Sequence, residues 1–420
     1  MVKYKLLKCG KLYDGILDEL QHEMEILIVE DKIASIGHKL DCPESVEVID
    51  LRGVTVTPGL IDAHVHTQHV DWHSRNHDII YKGPSWKGMC HLYTARESLY
   101  RGFTAIRSIG SSTYEARGSL AAKEMIEQGY FPGARLVVTP HYMADVGSHG
   151  DHSQYLRGNP ELSECFAKMT PTMGTGVDFF RHAVRNEIKM GADFIKIMIN
   201  GGFSTPNDSP DDQQLSDDEI KVIIDTTHEL GKTVTAHIYN SDQMKKIAQM
   251  GIDGMEHGSL ITEETARVME ELDVYLVPTF CPYEEIIKLD EENLKKKTPA
   301  FQAKLRAYSQ RLREGRRVIV NSKLRLGYGT DFVTVHQAYE NGYEFQAWMN
   351  SGMDPFRALA AATRVNADIL GIDSYTGTLE PGKKADISAW NRDLTCDPDA
   401  LLDCAFVMKD GVSYPTIKVK

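Results

Sequence analysis

Nowhere in this chain do apolar residues run unbroken for the roughly 18 positions that a membrane-spanning helix needs, so no helical span is expected. Cysteine is scattered and scarce. The seven residues (Cys9, Cys42, Cys90, Cys165, Cys281, Cys396 and Cys404) are odd in number and never paired as CxxC, which argues against both a disulfide framework and a thiolate zinc site. Positive charge is also short. Against 60 acidic residues stand 47 lysines and arginines, a formal net charge of −13, whereas a nucleic-acid partner rewards a basic surface. The N-terminus, MVKYKLLKCGKLYDG, has neither a long apolar h-region nor a small-residue cleavage site. The expectation is no secretory signal and a cytoplasmic home.

What is present is the balance of a folded soluble protein: 420 residues, 42% hydrophobic and 25% charged, enough for one large barrel with a smaller module attached. Residues 1–57 alternate short β-like runs (YKLLKCGKLYDG, MEILIVEDKIASIG, VEVIDLRG) with turn residues, a pattern of small antiparallel strands. From residue 58 the rhythm changes. Apolar runs now alternate with longer helical intervals: GLIDAHVH, FTAIRS, ARLVVT, DFIKIMI, TVTAHI, DGMEH, VYLVPT and LRLGYGTD. Such alternation predicts an α/β fold, a (β/α)8 TIM barrel over residues 58–374. One interval, SDDEIKVIIDTTHELG, opens with Ser216 and Glu219 as a capping box and closes on Gly231. The tail from 375 to 420 returns to short strands, so both chain ends are expected to share one composite β-sandwich module.

Histidines mark the chemistry. In TPGLIDAHVHTQHV, alternate side chains share a strand face, so His64 and His66 stand together with Leu60 and Asp62. At the C-terminal mouth of a barrel two such imidazoles can bind one divalent cation, although this HxH on its own reads first as two packed or hydrogen-bonded core histidines. In DFIKIMI, Ile195, Ile197 and Ile199 take one face and leave Lys196 on the other. A lysine in a buried strand must be neutralised, paired or chemically altered. It reads either as half of an internal ion pair or as a carbamylated lysine, whose CO2 adduct could bridge two metals. His237 in TVTAHIYN, His257 in GMEHGS and Asp331 in LGYGTD each have a bland reading as a core histidine or an N-cap. Together, all six fall at the ends of several predicted strands, which is what a composite metal site on a barrel requires. Charge accounting favours two metals: a carbamate, Asp331 and a bridging hydroxide bring three negative charges against four positive ones.

With these motifs in place the chain resembles the metal-dependent amidohydrolase superfamily, and within it the prolidase-like or carboxypeptidase-like dipeptidases (Xaa-Pro, Xaa-Arg and Xaa-Lys dipeptidases). The resemblance runs through PGLIDAHVH, RGFTAIR, MGADFIKIMINGG, AHIY, GIDGMEHGSLI, YGTD and LEPGKKADI. It implies two divalent ions, usually zinc, one held by His64, His66, Lys196 and Asp331 and the other by carbamylated Lys196, His237 and His257. It also implies that Asp331 shuttles the proton. A histidine in a Gly-rich loop is matched by His149 in DVGSHGDHSQ and is taken to assist the scissile carbonyl or the substrate carboxylate. Tyr239 is a second implied substrate contact, and Arg107 a third, although here Ser108 follows it where relatives commonly have aspartate. His152 reads as surface. The stretch from Gln68 to His91, with His69, His73, His77 and His91, reads as a lid or a solvated segment.

The resemblance thus implies hydrolysis of the amide bond of a dipeptide or N-acyl amino acid by metal-bound hydroxide. Two rivals stand beside it: a hydrolase of cyclic amides or lactones, or a deaminase, on the same centre, and a non-catalytic barrel used as a binding module. A small-molecule substrate is the expected partner, with no nucleic acid and no membrane. A homo-oligomer is compatible with the resemblance, since relatives often assemble.

Overall fold

Apolar patterning divides the chain into two kinds of sheet, and the computed structural model describes them over residues 2–70, 82–112, 117–205, 207–288, 292, 295, 299–332 and 337–417. The first strands are β1 (Tyr4–Leu12), β2 (Gln21–Val29), β3 (Lys32–Gly37) and β4 (Glu47–Pro58). Next come β5 (Leu60–Val65), β6 (Phe103–Ser108), β7 (Arg135–Val138), β8 (Tyr142–Met143), β9 (Ile195–Met198), β10 (Val234–Asn240), β11 (Gly254–Leu260) and β12 (Tyr275–Val277). The last are β13 (Ile387–Trp390), β14 (Cys404–Lys409) and β15 (Val412–Tyr414). Helices between the middle strands include α1 (Pro84–Leu99), α2 (Gly118–Glu127), α3 (Pro160–Met169), α4 (Val177–Lys189), α5 (Asp217–Glu229), α6 (Ser241–Gln249), α7 (Glu263–Glu271), α8 (Cys281–Lys288) and α9 (Pro299–Asn321).

The two chain ends share one seven-stranded sheet, ordered β15-β14-β13-β4-β1-β2-β3. The all-antiparallel expectation needs one correction. Because the β2–β3 hairpin occupies one edge of β1, β4 returns along the other edge and pairs with it parallel, from Lys5↔Glu47 onward. The far edge curls back: Lys32 bridges Lys384, and Ile33 N donates to Lys383 O at 2.9 Å. A core of Leu7, Ile26, Ile28, Val56, Ile387 and Met408 lies within this curl.

The middle strands form two parallel sheets, β5-β6-β7 and β12-β11-β10-β9-β8. Residues on both faces of β5, β6 and β9 are buried, the signature of parallel strands covered by helices. Ile195, Ile197 and Ile199 pack with Phe180, Val184, Ile220 and Ile223, whereas Phe194 joins Ala105, Val137, Tyr275 and Val277. Each buried isoleucine contributes about 1.5–3 kcal/mol. The Ser216–Glu219 capping box opens α5 as the sequence predicts.

The run LRLGYGTD departs from its prediction as an eighth strand. Among its residues Leu326 makes a single parallel bridge to Leu276, and no strand is assigned. The segment nevertheless joins the two sheets, since Ala63 N donates to Tyr328 O and Asp331 N to His64 O, both at 2.8 Å. Close packing explains the irregularity. A Cβ on Gly329 would lie 2.4 Å from Val277 Cγ1 and 2.7 Å from His64 Cβ, so only glycine lets the backbone thread between these strands. On the other side Ser111 bridges His141 in parallel, linking the segments that follow β6 and β7.

Candidate active site

Register brings the predicted ligands together. Thr235 pairs with Lys196 and Ile238 with His257, which sets Lys196, His237 and His257 on three neighbouring strands. His64 and His66 arrive at the end of β5. Asp331 meets them from the irregular segment: its Oδ1 lies 3.4 Å from His64 Nε2 and 3.2 Å from His66 Nε2, and its Oδ2 lies 3.8 Å from His257 Nδ1. One ligand atom from each of His64, His66 and Asp331 falls within 4.8 Å of the other two. The His237 and His257 rings are 4.6 Å apart, and those of His64 and His257 5.0 Å. His257, Thr279 and Asp331 all hold positive φ (70°, 46° and 48°), conformations that non-glycine residues adopt at a cost and that cluster at functional sites.

The charge state of the cluster follows from its burial. Burial lowers His237 far below an ordinary imidazole, and His257, His149 and Lys196 push the same way. It is therefore a neutral ring. Burial raises Asp331, but His64, His66 and His257 outweigh it and hold the carboxylate well below its usual range. Lys196 is lowered to about 8, by burial first; Glu256 opposes that shift and Arg107 adds to it. Among the described residues no hydrogen bond or ion pair reaches its ammonium, so the ion-pair reading finds no partner within 4 Å.

One buried residue escaped sequence reasoning. Glu256, adjacent to His257 and shielded from solvent, accepts from His64 Nδ1 at 2.7 Å, Arg107 at 2.6 Å and Thr235 Oγ1 at 2.7 Å. Burial raises it, but Arg107, Lys196 and His64 keep it ionised. The signal available was a glutamate among apolar strand residues, which must be paired to be tolerated. Arg107, expected at the substrate, lies in the interior at 1% exposure; its other donors go to Ala63 O at 2.5 Å and the Tyr275 hydroxyl at 3.0 Å.

The two remaining expected contacts stand beside the histidines. The His149 ring stacks on His237 at 4.8 Å with 15° between planes. Tyr239 stacks on His257 at 5.3 Å, and its oxygen accepts from Tyr283 at 2.6 Å. Burial pushes its hydroxyl far up, so it stays protonated and able to donate.

In the histidine-rich stretch, His91 corrects the solvated reading. It lies at 2% exposure on α1, 2.6 Å from Thr67 Oγ1, and burial lowers it to about 3. His69 N donates to His66 O at 3.2 Å, while His73 and His77 fall outside the described residues. His152 is half-buried against Tyr142, 3.3 Å from its hydroxyl.

This donor set fits divalent cations. His64 and His257 engage Glu256 and Thr279 through Nδ1, which leaves Nε2 able to ligate, and His237 Nε2 is buried with no hydrogen-bond partner among the described residues. The family model that matches residues 55–418 is described as the amidohydrolase family. The chain belongs to the amidohydrolase family. This amidohydrolase is 26% identical over 413 residues to the ochratoxinase of Aspergillus niger, covering 92% of this chain and 81% of that one. It is similar to a solved Xaa-Pro dipeptidase with methionine in its active site (TM-score 0.84, 25% identity, 98% of this chain and 100% of that one). A prolidase solved with N-methylphosphonate-L-proline gives a TM-score of 0.83 at 25% identity, over 99% of this chain and 100% of that one. The amidohydrolase is thus a hydrolase acting on C–N bonds. No helix among its described residues is long and apolar enough to cross a membrane.

Proposed function

We propose that this amidohydrolase hydrolyses the amide bond of dipeptides or N-acyl amino acids at a binuclear metal centre. The convergence of His64, His66 and Asp331 within 4.8 Å, with the rings of His237 and His257 beside them and Lys196 on the strand next to that of His237, carries the reading. Its substrate class is supported by the likeness to the Xaa-Pro dipeptidase and the prolidase along the whole chain. In this reading the two parallel sheets close as a (β/α)8 barrel over residues 58–374, and residues 1–57 with 375–420 form the attached β-sandwich module. His64, His66, Lys196 and Asp331 hold one ion, and Lys196 as its carbamate, His237 and His257 hold the second, both ions being zinc.

When bound, such ions polarise a substrate carbonyl and acidify water. The protein's own groups do the rest. Asp331, anionic and facing three histidines, accepts the proton released on attack and returns it to the leaving nitrogen, one group serving as base and then acid. The Tyr239 hydroxyl stands beside His257, where it can donate to the carbonyl oxygen or a substrate carboxylate, and the His149 ring, stacked on His237, meets the substrate beside it. Arg107 lies in the interior and bonds Ala63, Tyr275 and Glu256; we assign it the holding of Glu256, and through Glu256 of His64.

The test is a panel of dipeptides and N-acyl amino acids assayed beside hydantoins, lactones and aminated heterocycles, with bound metal measured per chain. The reading expects turnover of linear amides and about two ions per chain. Turnover confined to the cyclic or aminated compounds would transfer the function to them.

A further inference from the structure

His149 lies on a loop, and a second loop, between β9 and α5, holds it in place. Its backbone N–H donates to Gln214 Oε1 at 2.8 Å, and its Nδ1 sits 2.7 Å from Thr205 Oγ1 and 3.3 Å from Asp208 Oδ2. Gly202 forms the floor: a Cβ there would lie 2.0 Å from the imidazole, so a side chain at 202 would expel the ring. Behind this loop stands Lys304, from the long helix α9. Its ammonium donates to Gly202 O at 2.6 Å, Thr205 O at 2.5 Å and Asp208 Oδ1 at 2.9 Å. Three N–H groups thus meet three acceptors, and the lysine is fully satisfied by the loop that cradles His149.

The direction of each bond is forced. Lysine can only donate, and the Asp208 carboxylate, held well below its usual range although burial opposes this, can only accept. Thr205 has one hydroxyl hydrogen, which goes to Asp208 Oδ1 at 2.5 Å. Toward His149 it can therefore only accept, so the imidazole must carry its hydrogen on Nδ1. Nε2 is the nitrogen left over, without a partner among the described residues.

We propose that Lys304 is a positioning residue that acts through Asp208 and Thr205 to fix the place and tautomer of His149. The proposal rests on the reading of His149 as a substrate-contacting group. It gives α9 a function beyond packing: the helix sets which imidazole nitrogen the substrate meets. Such a role is energetically plain, because a misplacement of about 1 Å in a positioning group can cost on the order of 10²-fold in rate.

Four variants decide it: Lys304→Met, Asp208→Asn, His149→Ala and the double variant Lys304→Met with His149→Ala. Each is assayed for kcat and KM on the linear amide turned over fastest, with bound metal measured in the same samples. Lys304→Met and Asp208→Asn are expected to lower kcat/KM by on the order of 10²-fold at unchanged metal content. The double variant should fall no further than His149→Ala, since residues acting through one another do not add. Losses that multiply, or wild-type kcat/KM in Lys304→Met, overturn the proposal. Wild-type activity in His149→Ala instead removes the role given to His149 itself.

A second measurement needs no substrate. In protein labelled with 15N-histidine, the His149 resonance, identified by its loss in His149→Ala, is expected to report a proton on Nδ1. In Asp208→Asn the new amide can donate toward Nδ1, so the Nε2–H form should gain population. An unchanged Nδ1–H tautomer in that variant counts against the relay whatever the activity.

Discussion

Glu256 Oε2 accepts from His64 Nδ1 at 2.7 Å while Glu256 Oε1 receives Arg107 at 2.6 Å, and none of the three side chains reaches solvent. A carboxylate so placed fixes the imidazole tautomer and its orientation. Loss of such a partner costs roughly 10–100-fold in metal affinity. We therefore expect Glu256→Gln to weaken metal binding by that factor in chelator competition; wild-type affinity would remove the tie. Glu256→Ala also leaves the buried Arg107 guanidinium unpaired, which should cost about 3–5 kcal/mol and show as an earlier urea midpoint.

Asp331→Asn keeps the shape of the side chain and one ligand oxygen but cannot take a proton as a carboxylate does. Its kcat is expected to fall by roughly 10²–10⁴-fold while circular dichroism stays unchanged. Normal turnover would exclude Asp331 as the base.

Lys196 is held at about 8, against an ordinary 10.5. Between those values the unfolded chain binds a proton that the folded metal-free protein does not, so stability falls as pH drops through this window and the loss is complete below about 8. Only the neutral amine adds CO2. Metal loading of stripped protein in bicarbonate should accordingly be faster at alkaline pH than at neutral pH, followed by bound zinc against time. With 13C-bicarbonate, a carbamate carbonyl resonance is expected in the loaded protein and absent from Lys196→Ala; equal spectra would leave Lys196 as a plain ammonium.

In the proposed binuclear reading, removal of metal leaves the neutral His237 and the Asp331 carboxylate with fewer partners. Ligand linkage stabilises by about 4 kcal/mol at a thousandfold excess over Kd. A chelated sample should melt several degrees lower and recover on readdition of zinc, read by calorimetry. A melting curve indifferent to chelator would speak against a resident ion.

Each layer of the result has its own source. The six ligand candidates were legible because each is a polar group set within or just after an apolar run, a pattern that local sequence carries; their expected place at strand ends did not hold for Lys196, His237 and His257, which lie inside β9, β10 and β11. The capping box on α5 was legible from local sequence too, whereas the pairing of both chain ends was inferred from how little apolar surface either end carries alone. LRLGYGTD read as a strand since its alternation is right, but the approach of Gly329 to His64 and Val277 is a long-range fact. His91 read as solvated because a histidine shows its burial only through what packs on it.

By itself the sequence determined which polar residue types interrupt the apolar runs, and hence the kind of chemistry, because side-chain alternation is a property of the local backbone. Only the tertiary structure decided the partners. Glu256 beneath His64, Arg107 turned inward and Lys304 behind His149 join residues 192, 149 and 155 positions apart. Hydrogen-bond geometry at such separations is set by packing, which no single stretch of chain encodes.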